Sequence, residues 1–397
     1  MTIHEQQPLW WNQSDSLTYY QIGGDVFKVV LSVSVENSYV RMHEIDEVLN
    51  AISGTQTLFG GSVILSYRPQ RAWLWRQYSG TVFKCCLETT LLSMLGCAMF
   101  VIFANTVAGE SLWVFDFLPP DGDLPFIQNL MELREIWNIQ QTLTTFILTF
   151  FVNLSFEFWK SVYSCAREVQ GKLSGFNLLL VTNVKRRKDG SLTPEGEIFL
   201  EEVAQCTRLF HVLFWASKTK RFSVLITDEG LKRMESRGLM SPKQLESLLR
   251  ADVPSNQLFS GPLEWMMLRS NQAMDEGVLR SDDVRSALLA EYISLRSAFT
   301  DVGNLLDGRM PLAYVQFVQI LVDTFVLASP LALYPAMGEY SVFAVGLIAL
   351  FYSGLNNLAK IFLDPLNNEA FCDNSIVFDI GVIVSTFKRV KTLFRRF

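Results

Sequence analysis

Residue types that carry out catalysis are few in this chain and widely spaced. The three histidines, His4, His43 and His211, lie in separate regions, and neither a G-x-S-x-G element nor a paired nucleophile and base accompanies them. The six cysteines form no C-x-x-C pair and lie mostly in or beside apolar segments, which favours buried thiols over a zinc site or a disulfide framework. We therefore expect the protein not to be an enzyme.

Acidic residues inside long apolar stretches are the more informative feature. Glu88, Glu157 and Asp323 each lie within or at the end of such a stretch. A charged side chain is costly inside a bilayer, so each of these residues is a candidate functional group. The alternative is structural, with Glu88 and Asp323 each pairing with a partner between helices, and we favour it for these two.

The composition predicts an integral membrane protein. Hydrophobic residues make up 49% of the 397 positions, charged residues only 19%, and the mean hydropathy is +0.22. The net charge is −6, and no Lys/Arg run is interleaved with aromatic residues, which excludes the electrostatic signature of a nucleic-acid-binding protein. The sequence does not distinguish the plasma membrane from an organelle membrane.

Four stretches meet the requirement of roughly 20 apolar residues for a membrane-spanning helix. They cover residues about 85–109, 141–159, 312–337 and 341–363. Only a few residues separate the last two stretches, which predicts a helical hairpin with Asp323 in its first arm. The protein is thus expected to be a multi-pass membrane protein with four transmembrane segments.

The distribution of charge predicts the orientation of these segments. Basic residues precede the first segment and recur after residue 160 and at the C-terminus, whereas the loop from 110 to 140 is acidic. Since basic loops stay in the cytosol, we place both termini and the middle region there and the acidic loop on the other side. The middle region, 160–310, shows helical periodicity at Glu197 to Phe214 and at Ser281 to Asp301, with turns at Asp189-Gly190 and Ser241-Pro242.

These observations predict an all-α membrane protein with a helical cytosolic body. We divide the chain into an N-terminal cytosolic extension at 1–65, a channel domain at 66–380 and a basic C-terminal tail at 381–397. The extension contains a β-rich stretch, Val26 to Val35, and its role is not evident from the sequence.

Five short segments resemble landmarks of the bestrophin family and occur in that family's order over most of residues 70–380. They are Gly80 to Lys84, Phe146 to Leu154 followed by Trp159, Gly238 to Pro242, Met310 to Gln316, and Tyr352 to Pro365. The resemblance implies a ring of identical subunits, a pentamer, around one axial pore. It implies passive conduction of chloride, with bicarbonate or nitrate as further candidates. The alternative is a non-conducting membrane scaffold or interaction protein of the same fold, and a polytopic membrane enzyme is the least favoured class.

The same resemblance implies the position of the pore neck, at Thr142, Phe146 and Phe150. Residues four apart lie on nearly the same face of a helix, so copies of these side chains from each subunit would form stacked rings. Spacing alone would favour ordinary core packing of the phenylalanines, and the resemblance favours the neck. Asp283 and Val284 are the residues that we expect at a second, cytosolic aperture.

The segment after the last apolar stretch departs from the family pattern. Animal members carry a run of acidic residues there that binds calcium, whereas this chain retains only Glu369 and Asp373 after Asp364. Calcium gains affinity from several carboxylates, so these three residues would form at most a weak calcium site. The sequence establishes no cofactor, and calcium is the candidate that the resemblance raises. Glu157 and Lys160 also depart from the residues that animal members have near these positions.

Overall fold

The structure is a computed structural model that describes residues 41–52, 70–71, 76, 81–108, 125–280, 283–367 and 378. Regular structure in these residues is helical, apart from two isolated bridges that pair Val184 with Leu279 and Arg186 with Leu192. The expectation of an all-α protein is confirmed for this part of the chain. The β-rich stretch expected at Val26 to Val35 lies outside the described residues, as does the C-terminal tail.

From residue 125 onward, the described helices follow one another with connections of at most ten residues. They are α1 (residues 41–52), α2 (Val82–Ala108), α3 (Pro125–Asn183), α4 (Pro194–Lys218), α5 (Asp228–Ser236), α6 (Pro242–Arg250), α7 (Ser260–Asp275), α8 (Asp283–Asp307), α9 (Leu312–Met337) and α10 (Ser341–Phe362). Short 3₁₀ turns occupy Lys220–Ile226, Ser255–Gln257 and Gly338–Tyr340.

Helix α3 corrects two of the sequence predictions. It runs without interruption for 59 residues, which corresponds to about 88 Å, so the segment expected at 141–159 is only its middle part. The acidic loop expected between 110 and 140 is helical from Pro125 onward. Ser241-Pro242, expected to be a turn, is instead the start of α6, where the side chains of Ser241 and Gln244 form a reciprocal capping box.

Three stretches of the described residues are long and apolar enough to cross a membrane. They are Val82–Val107, a window within Pro125–Asn183, and Leu312–Phe362. The last contains α9 and α10, which pack against each other, while α10 also packs against α2 and α3. The bounds of α9 match the predicted segment 312–337, because Pro311 and Gly338 flank the apolar run. A separate membrane pass for each arm stays a prediction.

The middle region folds into a helical body around α4. Phe199, Phe210, Phe214 and Trp215 of α4 are fully buried, α7 packs against α4, and α8 packs along α3. Trp215 Nε1 donates a hydrogen bond to His211 Nε2 at 3.1 Å. Burial lowers the pKa of His211 to about 3, so this histidine is neutral and belongs to the core.

A network of polar side chains joins α9 to α10 within their apolar surroundings. Gln319 Nε2 donates to both carboxylate oxygens of Asp323, at 2.7 and 2.8 Å. The Oε1 atom of the same glutamine accepts hydrogen bonds from Asn356 at 2.7 Å and from Lys360. The direct partner of Asp323 is thus on its own helix, and its link to the cation Lys360 of α10 runs through an amide, so the partner between helices that was expected for it is only indirect. The expected partner of Glu88 is not found among the described residues, where its exposed side chain makes no hydrogen bond or ion pair.

Helix α1 docks the N-terminal extension onto the body. Ile45, Val48, Leu49 and Ile52 are buried in the same apolar core as α4. Asp46 accepts a bidentate pair from Arg233, with both N···O distances 2.7 Å, and a third bond from Arg237 at 2.7 Å. The extension thus contributes one amphipathic helix to the body, held by its apolar face and by a carboxylate between two guanidinium groups.

The ion pairs of Asp46 predict docking that weakens in acid. Hydrogen bonds from Arg233 and the charges of Arg233 and Arg237 hold the pKa of Asp46 below its usual range. A lowered pKa gives stabilisation that is present above the ordinary aspartate pKa, about 4, and is lost as pH falls through the folded-state value. We expect Asp46→Asn to accelerate hydrogen exchange of residues 41–52 at pH 7 and to remove the acid dependence seen in the parent protein. Glu47→Gln is the control, since its contact with Arg221 is 3.5 Å long and exposed; equal effects of both variants would contradict this role of Asp46.

The network around Gln319 predicts a loss of stability when the bridging amide is removed. Gln319→Leu would leave Asn356, Lys360 and Asp323 without their shared partner. Asn356 is buried, so its unsatisfied amide should cost about 1–3 kcal/mol, whereas the exposed Asp323 and the half-buried Lys360 should cost less. Thermal unfolding in detergent measures this change. Gln316→Leu, at an exposed position three residues earlier on α9, is the control and should change stability by less than about 0.5 kcal/mol. A Gln319→Leu protein as stable as its parent would show that the network does not hold the two helices.

Candidate functional site

The middle of α3 has one buried face and one exposed face. Thr144, Leu148, Phe151 and Ser155 are buried against other helices of the same chain. On the opposite face, the side chain of Phe146 is 61% exposed and that of Phe150 is 51% exposed. An exposed aromatic stripe on a helix of this length requires contact with lipid, with another subunit or with a pore.

The structure brings the three predicted neck residues together on the exposed face. The Phe146 and Phe150 rings meet edge to face, with centroids 4.8 Å apart. Thr142 is exposed one turn earlier, and its hydroxyl donates to the backbone oxygen of Asn138 at 3.4 Å. Against the described part of the chain, neither phenylalanine has the core packing that is the alternative at this spacing.

The buried face of α3 is anchored to the hairpin of α9 and α10. Trp137 stacks on Phe325 with centroids 4.8 Å apart, and its Nε1 donates to the backbone oxygen of Phe325 at 3.1 Å. The hydroxyls of Thr145 and Tyr352 lie 2.8 Å apart, so a hydrogen bond joins α3 to α10 beside Phe146. These contacts fix the rotation of α3 about its axis and hence the direction in which the aromatic stripe points.

The two residues expected at the cytosolic aperture differ in exposure. Asp283 is exposed in the first turn of α8, whereas Val284 is only 7% exposed and lies in the core of the body. The exposed large apolar side chains of α8 are those of Leu289 and Ile293, of which Ile293 is 58% exposed. Both are out of phase with the buried residues of this helix.

The expected calcium site is only partly described. Asp364 follows α10 directly and is mostly buried, while Glu369 and Asp373 lie outside the described residues. In the part of the chain that the structure describes, no three His, Cys, Asp or Glu side chains come together in a way that could hold a metal ion. Calcium binding therefore stays a prediction.

A cavity of about 440 Å³ opens on the helical body between α7 and α8. It brings the cations Lys218 and Arg296 near the carboxylates of Glu264 and Asp307, around a wall that includes Tyr292. Burial and the charge of Glu264 raise the pKa of Tyr292, which keeps its hydroxyl protonated at neutral pH. The cavity lining contains no paired nucleophile and base of the kind a hydrolase or transferase uses.

Comparison with known proteins bears on the fold and the family. The model of the family described as "Bestrophin, RFP-TM, chloride channel" matches residues 126–334, which is more than half of the chain. No curated protein matches this sequence.

Two similar crystal structures are of a bacterial bestrophin homolog from Klebsiella pneumoniae. A point mutant of it superimposes with a TM-score of 0.59 at 15% identity, over 79% of this chain and 99% of the other. A second structure, solved by zinc phasing, gives 0.55 at 15% identity, over 78% and 97%. The likeness in fold extends over nearly the whole of the bacterial chain. On the family match over α3 to α9 and this shared fold, the chain belongs to the bestrophin family.

Proposed function

We propose that the protein is a passive anion channel formed by a closed ring of identical subunits, five by family resemblance, with α3 of each lining the pore. Chloride is the proposed permeant ion, and bicarbonate and nitrate are further candidates. The observation that carries the proposal is the exposed stripe of Thr142, Phe146 and Phe150 on a helix whose other face is anchored in the chain.

A ring of subunits would place this stripe at the symmetry axis. A single α3 cannot enclose a pore, whereas copies related by rotation can direct the same face inward. An aromatic ring has a positive edge, so phenylalanines presented edge-on can favour a partly dehydrated anion. A narrow apolar constriction can also gate by expelling water, and the hydroxyl of Thr142 would make the first ring wetter.

We also propose the number of membrane passes, the aperture residue and the calcium response of the channel. Helices α9 and α10 would be separate membrane passes, giving four in all, with both termini and the body in the cytosol. Asp283 is the residue of the predicted aperture pair that reaches the surface. Calcium activation would be weak or absent, because few carboxylates follow Asp364.

The second candidate function is a non-conducting scaffold of the same fold. The cavity between α7 and α8 favours the scaffold function, because its charged and polar lining can bind a partner. The exposed aromatic stripe on α3 favours the channel, because a scaffold does not need a row of exposed side chains that face a symmetry axis.

The oligomeric state and conduction can be tested on the same purified protein. Native mass spectrometry in mild detergent should give a closed homo-oligomer, and planar bilayers containing it should show stepwise currents that persist when chloride is the only small anion. A monomer would contradict the ring. An intact ring without current would support the scaffold.

The neck predicts a specific effect of removing two aromatic side chains. Phe146→Ala combined with Phe150→Ala should widen and wet the constriction, which raises the open probability in bilayer recordings. Leu148→Ala is the matched control, because Leu148 is buried on the opposite face and its truncation should cost about 2–5 kcal/mol of stability without changing the neck. If the double variant assembles and its currents and gating match those of the parent, these residues do not form the neck.

A further inference from the structure

The exposed face of α3 carries a carboxylate on each side of the proposed neck. Glu135 precedes Phe146 by three turns and Glu157 follows it by three turns, so each lies about 16 Å from Phe146 along the helix axis. At 3.6 residues per turn, both are within about 20° of Phe146 around the axis. Both side chains are exposed, like the two phenylalanines between them.

Neither carboxylate is paired with a positive charge among the residues that the structure describes. Glu135 and Glu157 make no ion pair or side-chain hydrogen bond with another described residue, in contrast to Asp323 and Asp46. On the cytosolic side, Lys160 is exposed one turn beyond Glu157 and about 60° round the helix, so it is the next charge along the path. On the other side, the nearest basic residue of α3, Arg134, is half-buried and points well away from the Phe146 face.

We propose that Glu135 and Glu157 form two acidic rings that bracket the neck and reduce its permeability to chloride relative to potassium. The inference rests on the proposed function, since only a ring of subunits with α3 at the axis would gather copies of each carboxylate. Rings of acidic side chains attract cations to a pore and repel anions. The aromatic neck and the charges at its two mouths then act in opposite directions on anion permeation.

The expected size of the effect follows from how strongly a charged cleft concentrates ions. A cleft lined by charges of one sign changes the local concentration of permeant ions by about tenfold or more. Screening over about 8 Å at physiological ionic strength confines the field of each carboxylate to its own mouth of the neck, so the two rings act by changing the ion concentrations at the mouths and not inside the neck.

The test is the chloride-to-potassium permeability ratio, obtained from reversal potentials in a potassium chloride gradient across a planar bilayer. Glu135→Gln combined with Glu157→Gln should raise this ratio by about tenfold or more, with each single variant giving part of the change. Lys160→Gln should change the ratio in the opposite direction. Glu197→Gln, which removes an exposed carboxylate from α4, is the control and should leave the ratio unchanged.

Two further measurements keep the outcomes distinct. Native mass spectrometry establishes that each variant assembles. Treating Glu157→Cys with a negatively charged thiosulfonate restores a negative charge at this position and should restore the chloride-to-potassium permeability ratio of the parent protein. A conducting parent channel whose double variant keeps the parent ratio overturns this inference and leaves the proposed channel standing. A silent parent ring overturns the channel and this inference together.

Discussion

The structure depends on the asymmetric anchoring of one long helix. Helix α3 is held on one face by Trp137 against Phe325 and by the Thr145–Tyr352 hydrogen bond, and the other face carries exposed phenylalanines. If these contacts were weak, α3 could rotate, and its aromatic stripe would turn toward the hairpin or toward lipid. The hairpin of α9 and α10 therefore determines where the candidate pore face points, although it contributes no residue to the proposed neck.

The cost of polar groups in apolar surroundings explains why the hairpin has one defined arrangement. A carboxylate, an ammonium group and two amides would each be unfavourable alone between membrane helices. Gln319 satisfies three of them at once by donating to Asp323 and accepting from Asn356 and Lys360. A slip of α9 by one residue past α10 would break the two bonds that cross between the helices, from Asn356 and from Lys360 to Gln319, so the polar network favours a single register where apolar packing alone would permit several.

Sequence reasoning succeeded where a signal was local. The bounds of α9 could be read from an apolar run between Pro311 and Gly338, and the exposed face of α3 at Phe146 and Phe150 is compatible with the neck that the family resemblance implies, which stays a prediction. The full length of α3 could not be read in this way, because its N-terminal part carries Glu132, Arg134 and Glu135 and resembles an acidic loop although it continues the helix. Docking of α1 was also beyond a local signal, since Asp46 pairs with Arg233, 187 residues away.

The continuity of α3 gives the two ends of the molecule a mechanical connection. Its middle part carries the aromatic stripe, and its C-terminal part is covered by α8 and shares its core with α4 and, through that core, with α1. No turn or break interrupts the helix between Pro125 and Asn183, so a displacement of α8 is transmitted along α3 toward Phe146. In the proposed channel, a stimulus that acts on the helical body would therefore reach the proposed neck through one continuous helix, and the hairpin that anchors α3 would resist or yield to it.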